Sequence, residues 1–241
     1  MSAVRDVRRT RVAWRPSYRI VPSRFPPVGL FDRIASPDDL DALFDIEGMT
    51  NPRLRQELGD LSMVPRERRI SGPGTTPVMA AFLHANPQGS RFSDGSWGVY
   101  YAARERDTAI AETIHHRQAF LRHTGEPACV LQMRCYLADV SGRLHDIRGG
   151  WPELHDPDSY VASQAAARAL RAGGSDGIAY DSVRRPGGQC VGVFYPDLVS
   201  PARQGPHLHY HWDGNRISHY TVVEEVGTVE ALGRGTPGAR A

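Results

Sequence analysis

Apolar positions along the chain recur at two periods, and the switches between them mark out its elements. After "SPDD", Leu40, Leu43, Phe44 and Ile46 share a helical stripe that Gly48 closes, which predicts a helix of about ten residues. "TTPVMAAFLHA" predicts a second short helix with Pro77 in its first turn. A loop through Gly95 then leads into a strand over Gly98–Ala102 and a helix from Asp107 to His123, on which Ile110, Ile114 and Leu121 line up. "ACVLQMRCYL" alternates and is rich in β-formers, so it reads as a strand. "SYVASQAAARALRAGG" is a helix with a glycine stop. "DGIAYDSV", "CVGVFY", "HLHYHW" and "RISHYTVVEEV" read as strands, the last two joined by a two-residue hairpin turn at Asp213-Gly214.

Strands and helices mix without the regular alternation of a doubly wound sheet, which makes the expected fold α+β. No internal repeat is visible, and no Gly-, Pro- or Ser-rich linker divides the chain. One domain over residues 12–227 follows, with residues 1–11 and 228–241 as polar, frayed ends. A chain of 241 residues with 40% hydrophobic content can bury a real core.

The net charge of +2 gives weak grounds for direct nucleic-acid binding or for attraction to a membrane. None of the basic residues is a lysine, a bias that a GC-rich coding sequence produces on its own. Cys129, Cys135 and Cys190 form neither a disulfide framework nor a zinc-binding pair. No apolar stretch backs the basic N-terminus, and nowhere do about 18 apolar residues run together, so the expectation is a soluble cytoplasmic protein.

Rossmann, P-loop, zincin and nucleophile-elbow motifs are all missing. His207, His209 and His211 alternate on one strand, about 6.6 Å from one to the next and about 13 Å end to end. Zinc needs its nitrogens within about 2.1 Å, so at most two of the three could share an ion. A solvated edge strand is the plainer reading, and no metal site is assigned.

A different cluster has more chemistry in it. Arg91 precedes a glycine turn, where its planar fork suits a diphosphate. Tyr100 and Tyr101 must face opposite ways on their strand, so one can pack inside while the other offers a ring to a ligand. Glu112 sits in the second turn of the next helix between Ala111 and Thr113, with Ala109 nearby to leave room. A carboxylate there can hold a ribose hydroxyl and stabilise an oxocarbenium ion. Ser182 ends a strand ahead of the glycine-rich turn "VRRPGG", as the wall of a phosphate or sugar cleft would. The plain alternative is a surface ion pair, a core tyrosine and a turn serine.

Taken together, "RFSDGSWGVYYAARERDTAIAET", "HDPDSYVASQ" and "GIAYDSVRRPGGQCVGVFYP" resemble the RES-domain proteins, named for an arginine, a glutamate and a serine. By that resemblance Arg91, Glu112 and Ser182 are the three name-giving residues, Tyr101 is the strand tyrosine, and Arg19 matches a further arginine. Ser93 stands where many relatives have asparagine, and the N-terminal extension is long. The resemblance implies a fold similar to ADP-ribosyltransferases and a toxin neutralised by an Xre-like helix-turn-helix antitoxin. It implies NAD as substrate rather than cofactor, with Arg19 and Arg91 on the diphosphate, Tyr101 on the nicotinamide or ribose, Glu112 on the ribose and Ser182 closing the cleft. Water, inorganic phosphate or a protein side chain remain open as acceptor, so a mono-ADP-ribosyltransferase is one rival and an inactive binding module another. A homodimer and a toxin–antitoxin hetero-oligomer both stay open.

Overall fold

The structure, a computed structural model, describes residues 7–23 and 59–223. The helix expected over "SPDDLDALFDIEG" lies outside the described residues, as does the C-terminal tail. Seven strands and three α-helices make up the described part. In chain order these are β1 (Arg9–Pro22), α1 (Thr76–Leu83), β2 (Tyr100–Ala103), α2 (Arg106–Thr124), β3 (Cys129–Asp146), α3 (Val161–Ala172), β4 (Gly177–Asp181), β5 (Gln189–Val193), β6 (Arg203–Trp212) and β7 (Ile217–Val223). The fold is α+β with a mixed, largely antiparallel sheet, as the sequence led one to expect. None of the described helices is long and apolar enough to cross a membrane.

The sheet order is β1-β2-β5-β4-β3-β6-β7, and β1 also pairs with β3, so the first five strands close into a ring. Every pairing is antiparallel except β3–β4. Closure is uneven. β1 and β3 pair along most of their length, whereas β1 meets β2 only at Tyr18↔Ala103 and β3 meets β4 only at His145↔Ile178 and Asp146↔Ala179.

Strand alternation sorts side chains into two cores. On one face Ile178, Tyr180 and Cys190 pack with Ala109, Ile110 and Leu121 of α2 and with Ala166, Ala167 and Leu170 of α3. The other face gathers Ala179, Val191 and Val193 against Val78, Met79, Phe82 and Leu83 of α1. Tyr100 belongs to this second core, with its ring 6.3 Å from that of Phe82. Its neighbour Tyr101 faces the first. Gly98 lets α1 come close, since a Cβ there would overlap the Phe82 backbone.

Three expectations need adjusting. Arg9–Arg11, assigned above to a frayed end, already pair with His145, Leu144 and Arg143 of β3. The hairpin turn runs over four residues, because Asp213 N–H donates to Arg216 C=O and the Asp213 carboxylate accepts from the amides of Asn215 and Arg216. Finally, β6 lies between β3 and β7, so its histidines are on an interior strand and β7 is the edge.

Candidate functional site

The site is built around α2. This helix ends on Gly125 at φ 64°, and its buried positions Thr108, Ala109, Ile110 and Leu121 face the first core. Glu112 therefore projects from its half-exposed flank toward the end of β4. There the Ser182 hydroxyl donates to Glu112 Oε1 at 2.6 Å. The same oxygen, Ser182 Oγ, accepts from the amides of Arg184 at 3.2 Å and Arg185 at 3.0 Å. A serine hydroxyl has one donor and two acceptor positions, so Ser182 is saturated. Its chemistry is to fix a carboxylate oxygen. Glu112 Oε2 has no bond to the described residues.

The loop after Ser182 is fastened to α2. Arg185 Nη1 donates to Thr108 Oγ1 at 3.0 Å, and a Cβ on Gly188 would come within 2.7 Å of the Thr108 side chain. Glycine is required at 188 by that close approach. Arg184 reaches the other way, donating through Nη2 to Pro157 C=O at 2.6 Å.

Arg91 is buried, and its Nη1 donates to the carbonyls of Leu154 at 3.1 Å and Asp156 at 3.0 Å. The ring of Tyr160 lies 4.7 Å from its guanidinium carbon. Nε and Nη2 have no hydrogen bond to the described residues. Arg91 thus holds the 154–156 turn with one nitrogen and keeps the other edge of the fork.

Two histidines that sequence patterning passed over belong here. His115 and His116 follow Glu112 by three and four residues, which puts them on the same side of the helix. Partial burial first, and the Arg184 charge next, hold the His115 imidazole below the ordinary histidine range, while Glu112 works the other way. The more exposed His116 is shifted in the same direction, with the Arg184 charge acting on it too. Both also feel the charge of Arg91. The signal was present in the spacing of "ETIHH".

Tyr101 turns out to be a latch. Its hydroxyl accepts from Phe92 N–H at 2.8 Å and shares a 2.8 Å bond with Ser90 Oγ, gripping the backbone on either side of Arg91. Burial pushes its phenol up to about 12, so the group stays neutral and can hold both bonds. Phe92 packs 6.3 Å from its ring at an interplanar angle of 23°.

Arg19 is not part of this cluster. The β1–β3 register slips by one residue between Trp14 and Ser17, and a single extra residue turns every later side chain to the opposite face. Val12 and Trp14 point into the second core while Tyr18 and Ile20 pack on the first. Arg19 is therefore turned toward Tyr100, 5.0 Å from its ring, on the face of the sheet opposite the Tyr101 side chain. Its Nη1 donates to the Tyr101 carbonyl at 3.0 Å, stitching β1 to β2 where their ladder is a single pair.

Beside Ser182 lies a cleft of about 310 Å³ walled by Gly149, Gly150, Pro152, His155, Asp181 and Val183. His155 Nδ1 meets the Trp151 carbonyl at 3.0 Å and Nε2 meets the Asp181 amide at 3.1 Å. A carbonyl can only accept and an amide N–H can only donate, which fixes His155 as the neutral Nδ1–H tautomer. Trp151 itself has φ 57°, a left-handed conformation that bulky residues seldom adopt.

Among the described residues no three His, Cys, Asp or Glu side chains are grouped to hold a metal ion. The imidazoles of His211 and His219 stack face to face, with centroids 4.1 Å apart.

The family whose model matches this chain is the RES domain family. The chain belongs to that family, its residues 66–213 matching the RES domain. Arg91, Tyr101, Glu112 and Ser182 fall inside the match and Arg19 falls before it. An uncharacterised protein of Sinorhizobium fredii, y4oC, is 36% identical over 217 residues, covering 87% of this chain and 88% of that one. Among solved structures, the MbcT–MbcA toxin–antitoxin complex of M. tuberculosis contains a chain with 14% identity and a TM-score of 0.47, over 86% of this chain and 88% of that one.

Proposed function

We propose that the protein is a toxin that consumes NAD by breaking the bond between nicotinamide and ribose. The observation that carries this is the Ser182–Glu112 bond of 2.6 Å, which holds one carboxylate oxygen and leaves the other free. In the proposed reaction the C1′–N bond breaks and its electron pair goes to the ring nitrogen, neutralising the pyridinium. The positive charge left on C1′ and the ring oxygen would be stabilised by Glu112, whose free oxygen also suits a ribose hydroxyl. Water, inorganic phosphate or a protein side chain then bonds to C1′ and gives up its proton. The open edge of Arg91 would take a diphosphate oxygen, with Tyr101 holding its loop. Arg19 has no part in binding. The family expectation of an Xre-like antitoxin goes with this function.

The test is to incubate purified protein with NAD and follow released nicotinamide by chromatography, in buffer alone, with phosphate, and with a cell extract as a source of protein acceptors. The sugar product then names the acceptor: free ADP-ribose for water, a phosphorylated ADP-ribose for phosphate, or a mass shift on a target protein. Absence of nicotinamide release under all three conditions would sink the proposal in favour of an inactive binding module.

A further inference from the structure

The loop carrying Arg91 has little regular structure of its own, only an isolated bridge between Ser90 and Ser93. What holds it is one stripe of α3. Residues at i, i+4 and i+8 share a helix face, and Tyr160, Gln164 and Arg168 make such a row at the start of α3, apart from the buried Ala166, Ala167 and Leu170. Tyr160, at the N-cap, lays its ring against the Arg91 guanidinium. Gln164 Nε2 donates to Ser90 C=O at 2.9 Å and to Ser93 C=O at 3.2 Å, one carbonyl on each side of Arg91. Arg168 pairs with Asp94, the next residue along.

We infer that this stripe is a positioning device for Arg91, with Gln164 as its central residue. The inference rests on the proposal that Arg91 binds the diphosphate of NAD. Each member controls a different freedom of the arginine. Gln164, together with the Tyr101 hydroxyl, fixes the backbone from which the side chain starts. Tyr160 fixes the plane of the fork by a cation–π contact. The carbonyls of Leu154 and Asp156 fix the far end through Nη1. Only with all three set does the Nε–Nη2 edge face one direction. Arg168 is the most exposed of the three and its ion pair contributes least.

Gln164→Leu removes both donors while keeping most of the volume. A diphosphate contact is made alike in ground and transition states, so KM for NAD should rise about tenfold while kcat stays within about twofold. Tyr160→Leu should also raise KM, and Tyr160→Phe, which keeps the ring face, should raise it less. Phe82→Leu, in the opposite core, is the control: it lowers the melting temperature without moving KM. Amide hydrogen exchange on the ligand-free protein gives a readout independent of substrate, with faster exchange over residues 90–95 in Gln164→Leu and unchanged exchange in β5. If the wild type does not cleave NAD, the proposed function fails and exchange alone decides the positioning role. If it does, a Gln164→Leu KM within about twofold of wild type overturns the inference, as unchanged exchange does in either case.

Discussion

Glu112 and Arg19 show how far a side chain's placement follows from its position in the sequence. The open flank of Glu112 was legible from helical spacing and small neighbours, and the placement of Ser182 from a strand end that precedes a glycine turn. Glu112→Gln keeps an acceptor for the Ser182 hydroxyl but loses the charge that a developing cation needs. NAD turnover should fall about 100- to 1000-fold with the melting temperature unchanged, and retained turnover would remove Glu112 from the site. The direction of Arg19 was not legible, for a physical reason. Val12, Trp14, Tyr18 and Ile20 look like one unbroken alternation, and nothing in residue type reveals the extra residue between Trp14 and Ser17 that turns Arg19 away. Arg19→Met should therefore leave KM for NAD where it is and lower unfolding free energy by about 1–3 kcal/mol, since the Tyr101 carbonyl loses its donor. A raised KM at normal stability would put Arg19 back in the site.

At the scale of elements, periodicity found all three described helices and six of the seven strands, all but β1, and otherwise missed mainly where they begin and stop. β3 runs 18 residues, well past the predicted "ACVLQMRCYL", because its second half pairs with β1 and needs no amphipathic signal of its own. β1 starts at Arg9 for the same reason: its partner strand, not its composition, orders Arg9, Thr10 and Arg11. Val7 is also buried, at 6% exposure, in the first core. A chain beginning at residue 12 should consequently lose stability. Uncovering the site of Val7 alone is worth about 1.5–3 kcal/mol, before the lost ladder bonds are counted. Urea unfolding of the shortened and full chains measures this, and equal midpoints would show that the first turn of β1 contributes nothing.

For the whole molecule the ring of strands is the organising feature, and two of its closures are thin. The β1–β2 closure is stitched by the Arg19 bond to the Tyr101 carbonyl. The β3–β4 closure is two residue pairs long, and a buried network completes it. Arg9 Nε donates to His145 Nε2 at 3.3 Å, and His145 Nδ1 bonds Ser175 Oγ at 2.7 Å. The Ser175 hydroxyl in turn donates to Gly177 C=O. In this arrangement His145 must be neutral, because a proton on Nε2 would set it against the Arg9 donor. Burial first, and the Arg9 charge next, accordingly hold His145 below its ordinary value, with Asp176 opposing. An unfolded histidine titrates near about 6.5. As the pH drops below that value the unfolded chain takes up the proton first, so unfolding becomes easier. The stability gained by keeping His145 neutral is thus complete above about pH 6.5 and is lost as the pH falls through the lowered folded value. His115 and His116 shift in the same direction and add to the slope, so the comparison must be made against a variant. Urea midpoints taken between about pH 7.5 and pH 5 should fall more steeply in the wild type than in His145→Gln, which cannot take up a proton. Parallel slopes would mean that His145 titrates freely in the folded protein and that the β3–β4 closure does not depend on its charge state.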